Sequence, residues 1–120
     1  MHALWCIYYV KNCTCTRPNK DKFVAIVCSE TNPMGFIINT RIHPFILERP
    51  DLSSCQVAIK VSDYAFLDHD SYINCIDLYS FNDNELTDSK GRIKTHTINE
   101  IKGAVAASKT IPAYFKKLII

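Results

Sequence analysis

The chain has 120 residues, 48% of them apolar, which fits one compact domain spanning residues 1–120. Charged residues make up 22% of the chain, close to the average of globular proteins, and this argues against a disordered chain. The formal net charge of +2 is too small to indicate a nucleic-acid-binding protein by itself, but it leaves room for a local basic patch around Lys11, Arg17, Lys20 and Lys22.

The first third of the chain is predicted to form three strands. Leu4–Val10 is rich in aromatic and β-branched residues and predicts the first strand. A polar loop is expected at Lys11–Asp21. Lys22–Cys28 is a nearly continuous apolar run, typical of a central strand. A turn at 29–34 then joins it to a strand at Gly35–Asn39, so these two strands are expected to form a hairpin.

Two further strands are predicted in the middle of the chain. Pro44 cannot donate a hydrogen bond to a sheet, so a bulge, a bend or an edge is expected there. Arg49–Ser54 is predicted to be a turn. Cys55–Val61 alternates apolar and polar residues, as a half-buried strand does. After a loop at Asp63–Asp70, the run Ser71–Phe81 predicts another strand.

The apolar period changes from strand to helix after the polar segment 82–91. Thr97-Ile98-Asn99-Glu100 has the spacing of a capping box, and apolar residues at helical spacing follow it through Val105. Pro112 is expected to start a second short helical turn. The prediction is therefore a mainly β fold, with about five antiparallel strands in a small closed or half-closed barrel and a helix near the C-terminus.

The six cysteines allow two interpretations, a disulfide framework or reduced thiols. Cys28 and Cys75 lie in apolar strand-like runs, where cysteine acts as a small hydrophobe. The N-terminal segment has no export signal and is too short to cross a membrane, which predicts a cytoplasmic protein with reduced thiols. Cys13 and Cys15 resemble half of a metal site, but no second pair completes it. Neither a metal nor another cofactor is expected.

A polar group at the end of the strand Gly35–Asn39 is the first candidate site. Asn39, Thr40 and Arg41 bring together an amide, a hydroxyl and a guanidinium, and the hairpin places Lys22 nearby. Cations beside a hydroxyl are the minimum for metal-free phosphoryl transfer on RNA, because the RNA's own 2′-OH is the nucleophile. The alternative is an ordinary solvated strand end.

Two other groups have residue types that suit proton transfer. Asp68-His69-Asp70-Ser71 contains an acid, a histidine and a hydroxyl, but adjacent residues of one loop seldom form a triad, so a surface turn is the alternative. His43 precedes Pro44 and is either a base beside Thr40 or a ring that packs at the rim of the barrel.

Several short motifs resemble those of the MazF/PemK toxin endoribonucleases. That family has an opening strand of type GDIYYVDL, an Arg-Pro pair followed by an apolar strand, a strand ending in Thr-Ser-Lys, a Pro-Phe pair soon after it and an Asp-Ser segment. The corresponding stretches here are Cys6–Val10, Lys22–Val27, Asn39-Thr40-Arg41 with Pro44-Phe45, and Leu67–Cys75. A C-terminal helix ends both.

The resemblance implies an SH3-like barrel that forms a homodimer, cleaves single-stranded RNA without a metal and is neutralised by an antitoxin protein. It does not imply a membrane location. The family's working pair, the arginine of Arg-Pro and the hydroxyl of Thr-Ser-Lys, falls on Lys22 and on Asn39 or Thr40. Lysine lacks the planar fork of arginine, and Asn39 lacks a hydroxyl. Arg17, in the loop, is a candidate to replace the guanidinium.

The leading hypothesis is a toxin of a toxin–antitoxin system that acts as an endoribonuclease. Its predicted catalytic residues are Lys22, Thr40 and His43. Its predicted RNA-binding residues are Arg17, Asn39, Arg41, His69 and Ser71. The alternative is a non-catalytic SH3-like module that binds a protein partner, in phage defence or on a mobile element.

Overall fold

The structure is a computed structural model that describes residues 4–30 and 32–120. Residues 1–3 and Thr31 lie outside the described residues. The first three begin the segment predicted to lack an export signal, and Thr31 belongs to the predicted turn. Within the described residues, seven strands form one antiparallel sheet that curls into a half-barrel. The strands are β1 (Cys6–Cys13), β2 (Lys20–Ser29), β3 (Pro33–Asn39), β4 (Gln56–Ile59), β5 (Ser71–Asn74), β6 (Tyr79–Ser80) and β7 (Asp88–Arg92). The helices are α1 (Pro44–Leu47), α2 (Pro50–Ser53), α3 (Thr95–Ala107) and α4 (Ala113–Ile119), with a 3-10 turn at Asp83–Glu85.

The strands follow the order β4-β5-β3-β2-β1-β7 across the sheet, and β6 pairs with β3. The predicted hairpin is confirmed, since Phe23 pairs with Ile38 and Ile26 pairs with Gly35. The prediction of a mainly β fold with a C-terminal helix is confirmed as well. No helix in the described parts of the chain combines the length and the apolar character needed to cross a bilayer.

Two strands, β6 and β7, were not predicted, because their segments lack the pattern of a separate strand. The predicted strand Ser71–Phe81 breaks after Asn74, whose Oδ1 accepts hydrogen bonds from Gln56 Nε2 at 2.8 Å and from the backbone N–H of Ile76 at 3.2 Å. The chain then rejoins the sheet at β6. β7 lies in the polar segment 82–91, and all its residues are exposed. It is joined to β1 by backbone pairing, which requires no apolar alternation.

Side chains are buried on both faces of the sheet. One core cluster lies between the sheet and α3, and includes Ile7, Ala25, Phe36, Ile38, Ile73, Ile98, Ile101 and Val105. The second cluster lies on the opposite face, and includes Tyr8, Val10, Val24, Ile26, Ile37, Phe81 and Leu86. Successive residues of β2 and β3 enter opposite clusters, which is why both strands read as continuous apolar runs. The alternation places Lys22 and Asn39 on the face of the second cluster, beyond its apolar edge.

The predicted loop at Lys11–Asp21 is shorter than expected. β1 continues to Cys13 and β2 begins at Lys20, with an irregular register after Val10. The irregularity coincides with a left-handed backbone at Asn12, whose φ is 50°. The carboxylate of Asp21 accepts hydrogen bonds from the backbone N–H of Asn12 at 2.9 Å and from the hydroxyl of Tyr9 at 3.0 Å. Backbone pairing and the hydrogen bonds of the Asp21 carboxylate, rather than apolar residues, therefore hold the extension of the hairpin.

The prediction of a capping box at Thr97 is wrong. α3 begins at Thr95, so Thr97 lies inside the first turn and is buried. Its hydroxyl accepts a hydrogen bond of 2.8 Å from Tyr64, and the Tyr64 oxygen also accepts from the backbone N–H of Lys94 at 3.0 Å. A tertiary contact thus replaces the local cap. The second helix is confirmed, because Pro112 directly precedes α4.

The segment after β3 forms two short helices where a bend and a turn were expected. Pro44 is the first residue of α1, and Pro50 is the first residue of α2. Proline suits this position because its missing N–H has no partner at a helix start. Neither helix has a buried residue, so this segment lies on the protein surface.

Candidate functional site

An open groove of about 630 Å³ lies where the ends of β2 and β3 meet the segment that leads into α1. We call it the β2–β3 groove. Its lining residues are Lys20, Lys22, Asn39, Thr40, Arg41, Ile42, His43, Pro44, Ile46 and Gln56. Five of the eight residues predicted as site residues therefore lie together, namely Lys22, Asn39, Thr40, Arg41 and His43.

Lys22 and Asn39 both line the groove and contact each other. The hairpin register brings them together, and Lys22 Nζ donates a hydrogen bond of 2.8 Å to Asn39 Oδ1. Partial burial lowers the pKa of Lys22, and the nearby charge of Lys20 lowers it further, against a smaller opposite effect of Cys13. The lysine thus holds its proton less firmly than a solvated lysine does, while its ammonium remains oriented by a neutral amide.

Thr40 and Arg41 follow the end of β3 and are exposed. In the family motif one strand-end residue both faces the cation and carries the hydroxyl, whereas here these two features lie on different residues. Asn39 is the last strand residue and faces Lys22, whereas the hydroxyl of Thr40 comes one residue later, beyond the regular strand. A hydroxyl outside the strand is less rigidly held than one within it.

His43 has a defined hydrogen bond at the start of α1. Its Nδ1 accepts from the backbone N–H of Phe45 at 3.1 Å. An accepting Nδ1 carries no proton, so the neutral ring carries its proton on Nε2. In this arrangement His43 presents an N–H donor and not a basic lone pair. The geometry therefore suits contact with a phosphate oxygen better than the removal of a proton.

The other three predicted site residues do not line the groove. Arg17 is exposed in the loop 14–19, and His69 is exposed in the loop before β5. Ser71 is buried, with 3% of its surface exposed, and its hydroxyl donates to the carbonyl oxygen of His69 at 2.8 Å. That hydroxyl closes a turn, as the surface-turn alternative for this segment expects.

Two polar residues of the groove were not among the predicted site residues. Lys20 was placed in the loop, although its spacing of two from Lys22 is the signal that both belong to one strand face. Gln56 is a polar residue of the strand predicted at Cys55–Val61, but nothing in the sequence brings that strand near the end of β3. Gln56 Nε2 donates to Asn74 Oδ1 at 2.8 Å, which fixes the side chain on that face.

The groove carries an unbalanced positive charge. Its lining contains Lys20, Lys22 and Arg41, and no carboxylate is found among the described residues that line it. Within the described parts of the chain, neither Lys20 nor Arg41 forms an ion pair. Cations that lack an internal counter-ion, grouped in a concave site, are suited to bind an anion from outside.

The cysteines lie apart from this chemistry. All six are free thiols, and five of them are buried. Burial, followed by the proximity of Cys13, raises the pKa of Cys15 to about 12, so this thiol stays protonated and unreactive near neutral pH. The described residues contain no group of three or more His, Cys, Asp or Glu side chains arranged to hold a metal ion.

No protein-family model matches the sequence, and no curated protein matches it significantly. The resemblance to the MazF/PemK toxins therefore stays a prediction, based on the short motifs.

Proposed function

We propose that the protein binds single-stranded RNA in the β2–β3 groove and cleaves it without a metal, as the toxin of a toxin–antitoxin pair. The observation that carries the proposal is the set of three cations, Lys20, Lys22 and Arg41, in a groove without a lining carboxylate among the described residues. A phosphodiester backbone supplies the missing negative charge, and the 2′-OH of RNA supplies a nucleophile.

The cleavage step uses groups of the groove in separate roles. Lys22, in its neutral form, accepts the proton of the 2′-OH, and its lowered pKa makes that form more accessible than in a solvated lysine. The 2′-oxygen attacks phosphorus, and the bond from phosphorus to the 5′-oxygen breaks. The departing 5′-oxygen takes a proton from the exposed Thr40 hydroxyl, and water reprotonates Thr40. The hydroxide that is left takes the proton from Lys22 and restores its neutral form. The products are a 2′,3′-cyclic phosphate and a 5′-hydroxyl.

Charge on the phosphate is balanced by the surrounding donors. Arg41 and Lys20 are free to contact the non-bridging oxygens, because no described carboxylate pairs with them. His43 contributes its Nε2 N–H, since its Nδ1 is engaged by Phe45. Donors placed where charge develops in the transition state lower the barrier.

Incubation of the purified protein with a single-stranded RNA and with the all-deoxy strand, both with excess chelator, tests this proposal. Cleavage of the RNA alone, with cyclic-phosphate ends, is expected. Lys22→Gln and Thr40→Val are each expected to slow cleavage at least about 100-fold. Lys117→Gln, a change of the same kind at an exposed position of α4, is the control. Intact RNA after incubation with the wild type contradicts the nuclease proposal.

A second candidate function is a non-catalytic module that binds a protein partner. Phe45 and Leu47 support it, because 55% and 58% of their surfaces are exposed on a helix without buried residues. An acidic, partly apolar segment of an antitoxin fits the same surface, so this contact is compatible with the first proposal. The second function applies if the protein leaves RNA intact and the Phe45→Ser variant no longer binds an acidic partner protein encoded by a neighbouring gene.

A further inference from the structure

Tyr72 lies beside the Lys22–Asn39 pair on the same face of the sheet. In the ladder between β3 and β5, Tyr72 is the direct partner of Asn39, and on its other side it pairs with Ala58 of β4. Directly paired residues of antiparallel strands point to the same face, with Cβ atoms about 5 Å apart. One row across the sheet therefore carries Ala58, Tyr72, Asn39 and Lys22.

Among the described residues, no hydrogen bond, aromatic contact or cation contact holds the ring of Tyr72 in place. Other tyrosines do have such contacts: Tyr9 bonds to Asp21, Tyr64 to Thr97 and Tyr114 to Glu30. Tyr72 is half-buried, and its direct partner in β4 is the small, exposed residue Ala58.

We propose that Tyr72 is a stacking platform for an unpaired nucleobase, next to the phosphate bound in the β2–β3 groove. This inference rests on the proposed function and adds the base-binding half of the same site. Aromatic rings beside a positively charged groove are how proteins bind single strands without reading their sequence. Asn39 and Tyr72 are direct cross-strand partners, with Cβ atoms about 5 Å apart, so a base stacked on the ring lies next to the groove.

The placement of the ring restricts the ligand. A base stacks on Tyr72 only when it is not stacked in a duplex, so the site takes a single-stranded segment. Every base has a π-face, so the ring by itself imposes little base preference. The polar neighbours Asn74 and Gln56 bond to each other, which occupies the amide donor and acceptor that would otherwise read a base edge.

The test compares two labelled ligands of equal length and charge, using the full chain and fluorescence anisotropy. One ligand is a 2′-O-methyl RNA strand, which cannot be cleaved, and the other is its abasic counterpart. Tyr72→Ile removes the ring and keeps a β-branched residue suited to a strand. It is expected to weaken binding of the strand with bases by about 5- to 100-fold, and binding of the abasic strand by less than about twofold. Tyr72→Phe is expected to retain wild-type affinity for both.

The other outcomes separate the two proposals. Tyr114→Ile, at an exposed tyrosine of α4, is the matched control and is expected to change neither affinity. If the wild type binds both ligands and Tyr72→Ile leaves binding unchanged, or weakens both ligands equally, the stacking proposal is overturned while RNA binding stands. If the wild type binds neither ligand, the RNA function itself is overturned, and the stacking proposal with it. Thermal melting of each variant shows that the comparison concerns folded protein.

Discussion

Lys22 Nζ donates a hydrogen bond of 2.8 Å to Oδ1 of Asn39, and this neutral acceptor leaves the charge of the lysine uncompensated within the groove. A carboxylate in the same place would form an ion pair instead. The groove would then lose much of its attraction for anions, although its shape would change little. The identity of residue 39 therefore decides the electrostatic character of the site.

The substitution Asn39→Asp tests that relationship. The new carboxylate is expected to raise the pKa of Lys22 and to weaken RNA binding by about tenfold or more, because it cancels one positive charge near the phosphate. Side-chain NMR titration reports the pKa, and anisotropy reports the affinity. Asn99→Asp makes the same change of charge on an exposed position of α3. An equal loss of affinity in Asn99→Asp would assign the effect to net charge and contradict a specific role of the groove.

The unpaired cations of the groove predict a particular salt dependence. The slope of log K against log salt concentration is negative, and each phosphate contact removed from a single strand reduces its magnitude by about 0.7. Lys20→Gln and Arg41→Gln are each expected to reduce the magnitude of the slope by that amount. Lys117→Gln is expected to leave it unchanged. Affinity that falls in the groove variants with no change of slope would mean that these residues do not contact phosphate.

Gly35 is required where β2 and β3 approach each other. A Cβ at this position would lie 2.2 Å from the carbonyl oxygen of Ala25, which belongs to the backbone and cannot swing aside. Gly35→Ala is therefore expected to lower the free energy of unfolding by about 3 kcal/mol. Urea denaturation measures the loss.

Gly103 provides the opposite control, because nothing lies within 4 Å of a Cβ built there, on an exposed position of α3. Gly103→Ala is expected to raise the free energy of unfolding by about 0.5–1 kcal/mol, since alanine favours a helix. Equal effects in the two variants would contradict the packing argument for Gly35.

The carboxylate of Asp21 predicts a dependence of stability on pH. Hydrogen bonds from the backbone N–H of Asn12 and the hydroxyl of Tyr9 lower its pKa in the folded protein. A lowered pKa means that this group stabilises the fold above its unfolded pKa, and that the contribution disappears as the pH falls through the folded pKa. Asp21→Asn is therefore expected to melt at a lower temperature than the wild type at neutral pH, with a gap that closes on acidification.

Thermal melts over a series of pH values measure that gap. Asp68→Asn, at an exposed aspartate without a partner among the described residues, is expected to show little difference from the wild type at any pH. A gap between wild type and Asp21→Asn that persists at the acid end would show that the charge of Asp21 is not its cause.

The sequence alone predicted the strands in which the pattern of apolar and polar residues matches the buried and exposed positions. β2 and β3 appear as apolar runs, and β4 alternates, because the residue types themselves record which faces are covered. The same reasoning predicted that the hairpin brings Lys22 close to Asn39. β7 and the extension of β1 to Cys13 escaped it, because backbone pairing and the hydrogen bonds of Asp21 hold them, and neither leaves a periodic pattern.

The candidate site also contains residues that the sequence predicted and residues that only the structure revealed. The sequence by itself determined the cations, the hydroxyl and the histidine that one hairpin and its following segment place together, since these depend on short-range connections. Only the tertiary structure decided that Gln56 lines the groove with them, that Tyr72 pairs with Asn39, that Ser71 is buried and that Nδ1 of His43 is already engaged. Those outcomes depend on which strands become neighbours and on local hydrogen bonds. Contacts between residues distant in the chain arise from the packing of the whole sheet, which no single stretch of sequence encodes.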